Sequence, residues 1–310
     1  MSFKIFSGSS NLKFSERLSE KLGVELSKID INHFQDSEIS VLIKEDVTSF
    51  DCVVVQSLSS NANDNLVEMI IIADALRRSN AERVFAVIPY LGYMRQDRRC
   101  RYGEPVSSKV IASIISKYFD KVFVLDLHVP QIEAYFDVPT VNLSCCSVFI
   151  EDINNIENFS SEGFVIVAPD VGASKKARVY ADKLGCSLVI VEKMRRRANE
   201  SEIINIIGEV EGKNLIIVDD IIDTGGTICN VAKVMKEKGA LSIHIYASHA
   251  VLSGNAISRL SEDYINNVRF SNSIWMDRSK ISEGNFKIID TSNLFAFELG
   301  KVFGKPVTLI

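Results

Sequence analysis

At 310 residues the chain is longer than a single hydrophobic core usually serves, so two domains of roughly 150 residues are expected. Hydrophobic residues make up 46% and charged residues 24%, which excludes a disordered chain. Lys+Arg 35 against Asp+Glu 40 leaves a net charge of −5, so no global field draws the protein to nucleic acid or anionic lipid, and any basic site must be local.

The N-terminal stretch "MSFKIFSGSSNLKFSERL" has no sustained apolar segment, and no later stretch offers ~18 uninterrupted apolar residues. A soluble cytoplasmic protein with neither export signal nor membrane span is expected. Six cysteines, Cys52, Cys100, Cys145, Cys146, Cys186 and Cys229, are scattered without metal-ligand spacing and fit reduced thiols. The Asn-x-Ser triplets at Asn142, Asn158 and Asn199 then carry no glycosylation meaning.

In chain order, short aliphatic runs predict strands at 52–57, 83–88, 121–127, 164–169, 187–192, 214–219 and 242–248. The runs are continuously apolar, as in parallel sheets covered on both faces. Between them, helical patterns fall after Asn63-Asp64 and over 106–119, 173–184, 227–238 and 254–262, with Gly185 and Gly239 at C-terminal stops. Leu66, Met69, Ile70, Ala73 and Leu76 mark one face of the first of these. The alternation predicts an α/β protein with two doubly wound, mainly parallel-sheet domains. The weakest periodicity lies at 145–163, which places the boundary there: residues 1–146 and 147–310.

The segment "NLIIVDDIIDTGGT", 214–227, reads as a strand ending in Asp219 and Asp220, followed by a glycine turn and a helix beginning at Thr227. Gly225 and Gly226 let the backbone curl its N–H groups toward one centre at a helix amino end, which suits a phosphate monoester. Thr224 and Thr227 hydroxyls can donate to that phosphate, and Asp223 can brace the turn or accept from a substrate hydroxyl. The paired carboxylates are acceptors matched to the vicinal hydroxyls of a sugar. Together they predict a sugar-phosphate site.

Other clusters are less specific alone. "FQDSE" at 34–38 reads as a surface turn, "YMRQDRRCR" as a basic loop after a strand, and "EKMRRRANES" as a solvated charge run. Asp126 and His128 of "DLHVPQ" stand two apart at a strand end, and so are expected on one side of it.

Taken together, these segments resemble the ribose-phosphate pyrophosphokinase family, within the type I phosphoribosyltransferase fold. The resemblance runs nearly end to end, through "FQDSEISV", "NDNLVE", "AVIPYLGYMRQDRR", "DLHVPQIEAYFDVP", "APDVGASKKAR", "EKMRRRANESE", the "VDDIIDTGGT" loop and "ASHAVLSGNA". It implies an enzyme of nucleotide biosynthesis in which the 1-hydroxyl of ribose 5-phosphate attacks the β-phosphorus of ATP, with Mg2+ required.

The resemblance also implies roles. Phe34, Asp36, Ser37 and Glu38 would receive adenine, with Arg95, Gln96 and Arg98 on the nucleotide. His128, Asp170 and Asp126 would serve the magnesium and phosphate side, His128 through phosphate or metal-bound water rather than direct ligation. Lys193 and Arg195 would belong to a catalytic loop, with Arg195 also reaching the sugar phosphate held by Asp219, Asp220, Asp223, Thr224, Gly225, Gly226 and Thr227. Self-association to a homodimer or homohexamer is implied as well.

There are departures. Ala173 stands where the family usually repeats a glycine after Gly172, and Val141 replaces an acid that would support a second cation near Asp137. Thr48 and Glu104 replace arginines that bind regulatory phosphate or ADP in regulated members, so weak allostery is expected. Two alternatives remain at this stage. A phosphoribosyltransferase gives no reason for "FQDSE", and a non-catalytic regulatory paralogue would be expected to have lost Lys193, Arg195 or part of 223–227.

Overall fold

A computed structural model describes residues 3–194, 203–281 and 285–308. The chain divides into two compact units, the first built from Met1–Ser144, Asn272–Trp275 and Asp290–Ile310, the second from Cys145–Ser271 and Met276–Ile289. Both are α/β, as the alternating sequence pattern predicts.

The first unit opens with β1 (Phe3–Ser7) and α1 (Leu12–Leu22). The Asn11 side chain accepts the Phe14 N–H and starts the helix, and Gly23, at φ 61°, ends it in the left-handed conformation that glycine tolerates. A hairpin follows, β2 (Ile29–His33) antiparallel to β3 (Ile39–Ile43). Next come β4 (Asp51–Val55), α2 (Ala62–Arg78), β5 (Arg83–Ile88), α3 (Ser107–Ser116), β6 (Lys121–Leu125) and β7 (Thr140–Leu143). Strands β1-β4-β5-β6-β7 form a parallel sheet in that order, with Ile5 opposite Val53 and Val54 opposite Ala86. All five residues of β4 are buried, as required of a strand covered on both faces.

The second unit runs α4 (Cys146–Asn154), β8 (Phe164–Ala168), α5 (Ser174–Leu184), β9 (Ser187–Met194), β10 (Ile203–Ile207), β11 (Asn214–Ile222), α6 (Gly226–Glu237), β12 (Ser242–Ala250), α7 (Ala256–Leu260), β13 (Asn267–Ser271) and β14 (Phe286–Ile289). Its sheet has the order β10-β9-β8-β11-β12-β13-β14, parallel throughout except for the β9–β10 pair. From β8 the chain winds toward β9, and from β11 it winds the opposite way, through β12 to β14. The reversal falls between β8 and β11, and in open α/β sheets the crevice beyond the carboxyl ends of such strands is where ligands sit.

The chain then returns to the first unit as α8 (Ser292–Phe303). Phe303 stacks on Phe3 with ring centroids 4.0 Å apart and meets Phe85 edge-on, and Phe295 meets Phe14 edge-on at 5.4 Å. Asp290, just ahead of α8, pairs with Arg17 of α1 at 3.2 Å. These contacts correct the expected continuous second domain of 147–310, because α8 completes the hydrophobic core over β1 and α1. The boundary between the units falls between Ser144 and Cys145, at the start of the weakly periodic segment 145–163. That segment contains α4, which buries Cys146, Phe149 and Ile153 at helical spacing.

Among the described residues no helix is long and apolar enough to cross a membrane.

Candidate active site

The two units carry separate groups of candidate residues. In the second unit they gather where the sheet order reverses. Pairing between β11 and β8 stops at Ile217 and Val167, whereas β11 continues along β12 to Ile222 and Ala250. Asp219 and Asp220 therefore lie past the end of β8, inside a strand longer than the 214–219 predicted, with one edge released from pairing.

Both carboxylates are half-buried. The Asp220 N–H donates to Asp219 Oδ1 at 2.8 Å. Burial raises the Asp219 pKa well above the ordinary carboxylate range, and the charges of Asp220 and Asp170 push the same way. Asp170 lies in the turn after β8, where its Oδ1 accepts the Ala173 N–H at 2.9 Å just ahead of α5. A Cβ on Gly172 would come within 3.1 Å of that oxygen, so a side chain there would push on the Asp170 carboxylate.

The next turn leads into α6, which starts at Gly226, one residue earlier than the sequence predicts. Gly225 precedes it at φ 72°, where a Cβ would also lie 3.7 Å from the Ala256 backbone. The turn is braced from behind: Val251 and Leu252 donate N–H bonds to the Ile222 carbonyl, and Ser253 donates to that of Asp223 at 3.0 Å. Arg259 Nη1 donates to the Thr224 carbonyl at 3.1 Å. Thr224 and Thr227 are exposed, and Asp223 is half-buried. The result is two helix amino ends and three carboxylates on the same edge of adjacent strands. This arrangement offers donors for anionic phosphate and acceptors for hydroxyl groups.

In the first unit the candidates occupy the β2–β3 turn and the carboxyl ends of β5 and β6. The turn is closed by Phe34 N–H donating to Glu38 O at 2.8 Å and by Glu38 N–H donating to Asp36 Oδ1 at 3.2 Å, with Ser37 at φ 74°. It leaves Phe34 60% exposed, an apolar ring in solvent with two acids beside it.

After β5, Arg95, Gln96 and Arg98 are exposed. The Gln96 carbonyl accepts from both the N–H and Oγ of Ser108, which ties the loop to the start of α3. Glu104 folds the adjacent turn by accepting the Cys100 and Arg101 N–H groups at 2.8 and 2.9 Å. Thr48 donates its N–H to Asp46 Oδ1 at 3.0 Å.

Asp126 and His128 do not share one side of a strand, contrary to what their spacing predicts. β6 ends at Leu125, and Asp126 turns to φ 39°. It is buried, accepting from Ser144 Oγ at 3.2 Å, while His128 is exposed. Lys193 is in β9, opposite Ile204. Its side chain, and the whole of Arg195, lie outside the described residues.

Among the described residues no three His, Cys, Asp or Glu side chains form a ready metal cluster. The carboxylate of Asp170 offers the oxygen donors that magnesium favours, an ion that takes oxygen ligands and keeps its waters. Burial first, and then the charges of Asp220 and Asp170, disfavour the ionised Asp219 carboxylate.

Sequence reading missed Arg259, and it singled out "ASHAVLSGNA" without giving residues 251–253 their role as a brace. Neither belongs to a glycine-acid motif, and their roles arise from how α7 folds back on the loop.

Comparison with known proteins points to one family. The sequence profile of the N-terminal domain of ribose phosphate pyrophosphokinase matches residues 3–118, and that of the phosphoribosyl synthetase-associated domain matches residues 193–307. The chain is 42% identical to a ribose-phosphate pyrophosphokinase of Helicobacter hepaticus over 95% of its length and 94% of that protein's. It is 41% identical to one of Agrobacterium fabrum over 94% of both. The crystal structure of phosphoribosylpyrophosphate synthetase from Mycobacterium smegmatis superposes with a TM-score of 0.92 at 31% identity, covering 98% of this chain and 99% of that one.

Proposed function

The chain belongs to the ribose-phosphate pyrophosphokinase family, and from that premise we propose how its own residues carry the family's reaction. The reaction joins the 1-hydroxyl oxygen of ribose 5-phosphate to the β-phosphorus of ATP. The bond from that phosphorus to the α-phosphate oxygen breaks, and the hydroxyl proton is lost. The products are 5-phospho-α-D-ribose 1-diphosphate and AMP, and the reaction serves nucleotide biosynthesis.

The observation that carries this reading is the carboxylate pair Asp219–Asp220 past the end of β8, beside the glycine-capped start of α6. Asp219 and Asp220 accept from ribose hydroxyls. Asp223, Thr224, Gly225, Gly226 and Thr227 take the 5-phosphate, where α6 contributes N–H groups and positive potential. A fixed phosphate and two fixed hydroxyls orient the 1-hydroxyl, and orientation is much of what phosphoryl-type transfer asks of a protein.

Phe34 offers a stacking face for adenine, Asp36, Ser37 and Glu38 its polar partners, and Arg95, Gln96 and Arg98 the contacts to ribose and phosphates. Lys193 and Arg195 stabilise charge on the transferred group. Bound magnesium supplies neutralisation of the ATP phosphate charge. Asp170 would hold it through water, His128 would contact phosphate or metal-bound water, and the buried Asp126 shapes the turn presenting His128.

The exposed Val67 and the half-buried Ile70 and Ile71 of α2 support self-association to a homodimer or homohexamer. The six free cysteines support a reducing, cytoplasmic compartment.

The test is incubation of the purified protein with magnesium, ATP and ribose 5-phosphate, measuring AMP and phosphoribosyl diphosphate. Product that needs all three components and drops by about two orders of magnitude or more in Lys193→Ala supports the assignment. Full activity in that variant removes Lys193 from the mechanism. Light scattering tests assembly, and a fully active monomer would contradict it.

A further inference from the structure

Arg259 stands behind the phosphate turn rather than in it. α7 meets the turn at two places: Ala256 packs against Gly225, and Arg259 Nη1 reaches the Thr224 carbonyl at 3.1 Å. The same nitrogen lies 3.4 Å from where a Cβ on Gly226 would be. Its charge is felt on the first turn of α6, where it opposes the burial that pushes the Cys229 thiol up to about 11. Arg259 is exposed, and its other donors make no hydrogen bond among the described residues.

An anion-binding turn must direct N–H groups inward and carbonyls outward, and an outward carbonyl needs a donor. In a planar trans peptide the C=O of one residue and the N–H of the next point in opposite directions. Holding the Thr224 carbonyl therefore fixes the direction of the Gly225 N–H. Gly225 is the residue most in need of such restraint, because a glycine at φ 72° has many other conformations open to it. The guanidinium also places a permanent positive charge beside the α6 amino end.

We propose that Arg259 is a positioning residue for the 5-phosphate: it sets the Thr224–Gly225 peptide for anion binding and favours a phosphorylated over an unphosphorylated sugar. This rests on the reading that residues 223–227 hold the 5-phosphate, and the experiment separates the two.

Steady-state kinetics on the full enzyme compare wild type with Arg259→Ala, Arg259→Lys and Thr227→Val, varying ribose 5-phosphate and ATP separately. Calorimetric titration with ribose 5-phosphate provides a readout independent of turnover. The expected result is a rise of roughly 10- to 100-fold in KM for ribose 5-phosphate in Arg259→Ala, the scale of a lost charge-assisted hydrogen bond. The KM for ATP stays within about twofold, and Arg259→Lys recovers part of the loss because it keeps a cation and a donor. Binding by calorimetry weakens in parallel.

If Thr227→Val raises the KM for ribose 5-phosphate and Arg259→Ala does not, the turn holds phosphate and the proposal for Arg259 is wrong. If neither variant changes it, the phosphate assignment of the turn fails and the proposal fails with it. Equal rises in both KM values with a lowered Tm in Arg259→Ala would reduce Arg259 to a structural residue and overturn the proposal.

Discussion

The Asp220 N–H donates to the Asp219 carboxylate at 2.8 Å, while burial first, and then the Asp220 charge, raise the pKa of that same carboxylate. The strand thus orients Asp219 and destabilises its ionised form at once. Such strain is tolerated where a ligand relieves it.

Asp219→Asn is therefore expected to stabilise the ligand-free protein at neutral pH while weakening ribose 5-phosphate. The folded pKa lies above the unfolded one, so wild type loses stability as pH rises from about 4 through the folded value. The variant lacks that loss. Tm measured from pH 4 to 8 should show a wild-type deficit that grows with pH, and affinity should fall roughly 10- to 100-fold. A variant less stable than wild type at pH 8 would contradict this account.

His244 gives the opposite pH dependence. Its Nδ1 faces the Asn267 Nδ2 at 2.8 Å, and its Nε2 lies 3.0 Å from Ser242 Oγ. Asn267 cannot turn its oxygen to the ring, because Oδ1 accepts from Arg269 Nη2 at 2.8 Å. Burial first, and then the Arg269 charge, lower the His244 pKa to about 4. The unfolded chain takes up a proton between about 6.5 and 4 that the folded chain refuses, so stability falls as pH drops through that window, by about 3 kcal/mol in all. In His244→Asn, urea midpoints at pH 5 and 7 should lie closer together than in wild type. An unchanged gap would remove His244 as the cause.

Phe303→Ala should cost the first unit about 3–5 kcal/mol, since it deletes a ring stacked on Phe3 and edge-on to Phe85. Hydrogen exchange should show β1 amides losing protection while those of β8 keep theirs. Uniform loss across both strands would show that α8 stabilises more than the unit it joins.

Regulation should be muted. Thr48 donates its backbone N–H and hydroxyl to Asp46, holding that carboxylate below the usual range. Glu104 is committed to two N–H groups of its own loop. Neither offers the cation that a regulatory phosphate or ADP needs. We expect inhibition by ADP to be hyperbolic and competitive with ATP, and catalysis to need no added phosphate. Sigmoidal ADP inhibition together with a strict phosphate requirement would refute this.

Much of the architecture is legible in the sequence because it rests on local chemistry. Runs such as Val53–Val55 and Phe164–Ala168 are apolar on both faces, and that pattern arises where helices cover both sides of a sheet. The sugar-phosphate turn is legible for a related reason: adjacent acids, two glycines and flanking threonines are all within ten residues.

What escapes the sequence depends on partners distant along the chain. β11 reaches Ile222 only because β12 supports it beyond the end of β8. Asp126 is buried through its bond to Ser144 and a positive φ, neither of which strand alternation can foresee. Arg259 takes its place from the fold of α7, and α8 belongs to the first unit because of aromatic contacts such as Phe3 with Phe303, at opposite ends of the described chain.

That last feature reverses the usual order of birth and maturity. Domains commonly fold as units while the chain is being made, the N-terminal one first. Here Phe3 is made long before Phe303 and waits for it, whereas the second unit has all its described strands once Ile289 exists. On the ribosome the later-made unit can finish first, leaving β1 and α1 to chaperones in the meantime. Stalled chains ending near residue 290 should then resist protease within β8–β12 and be cut within α1.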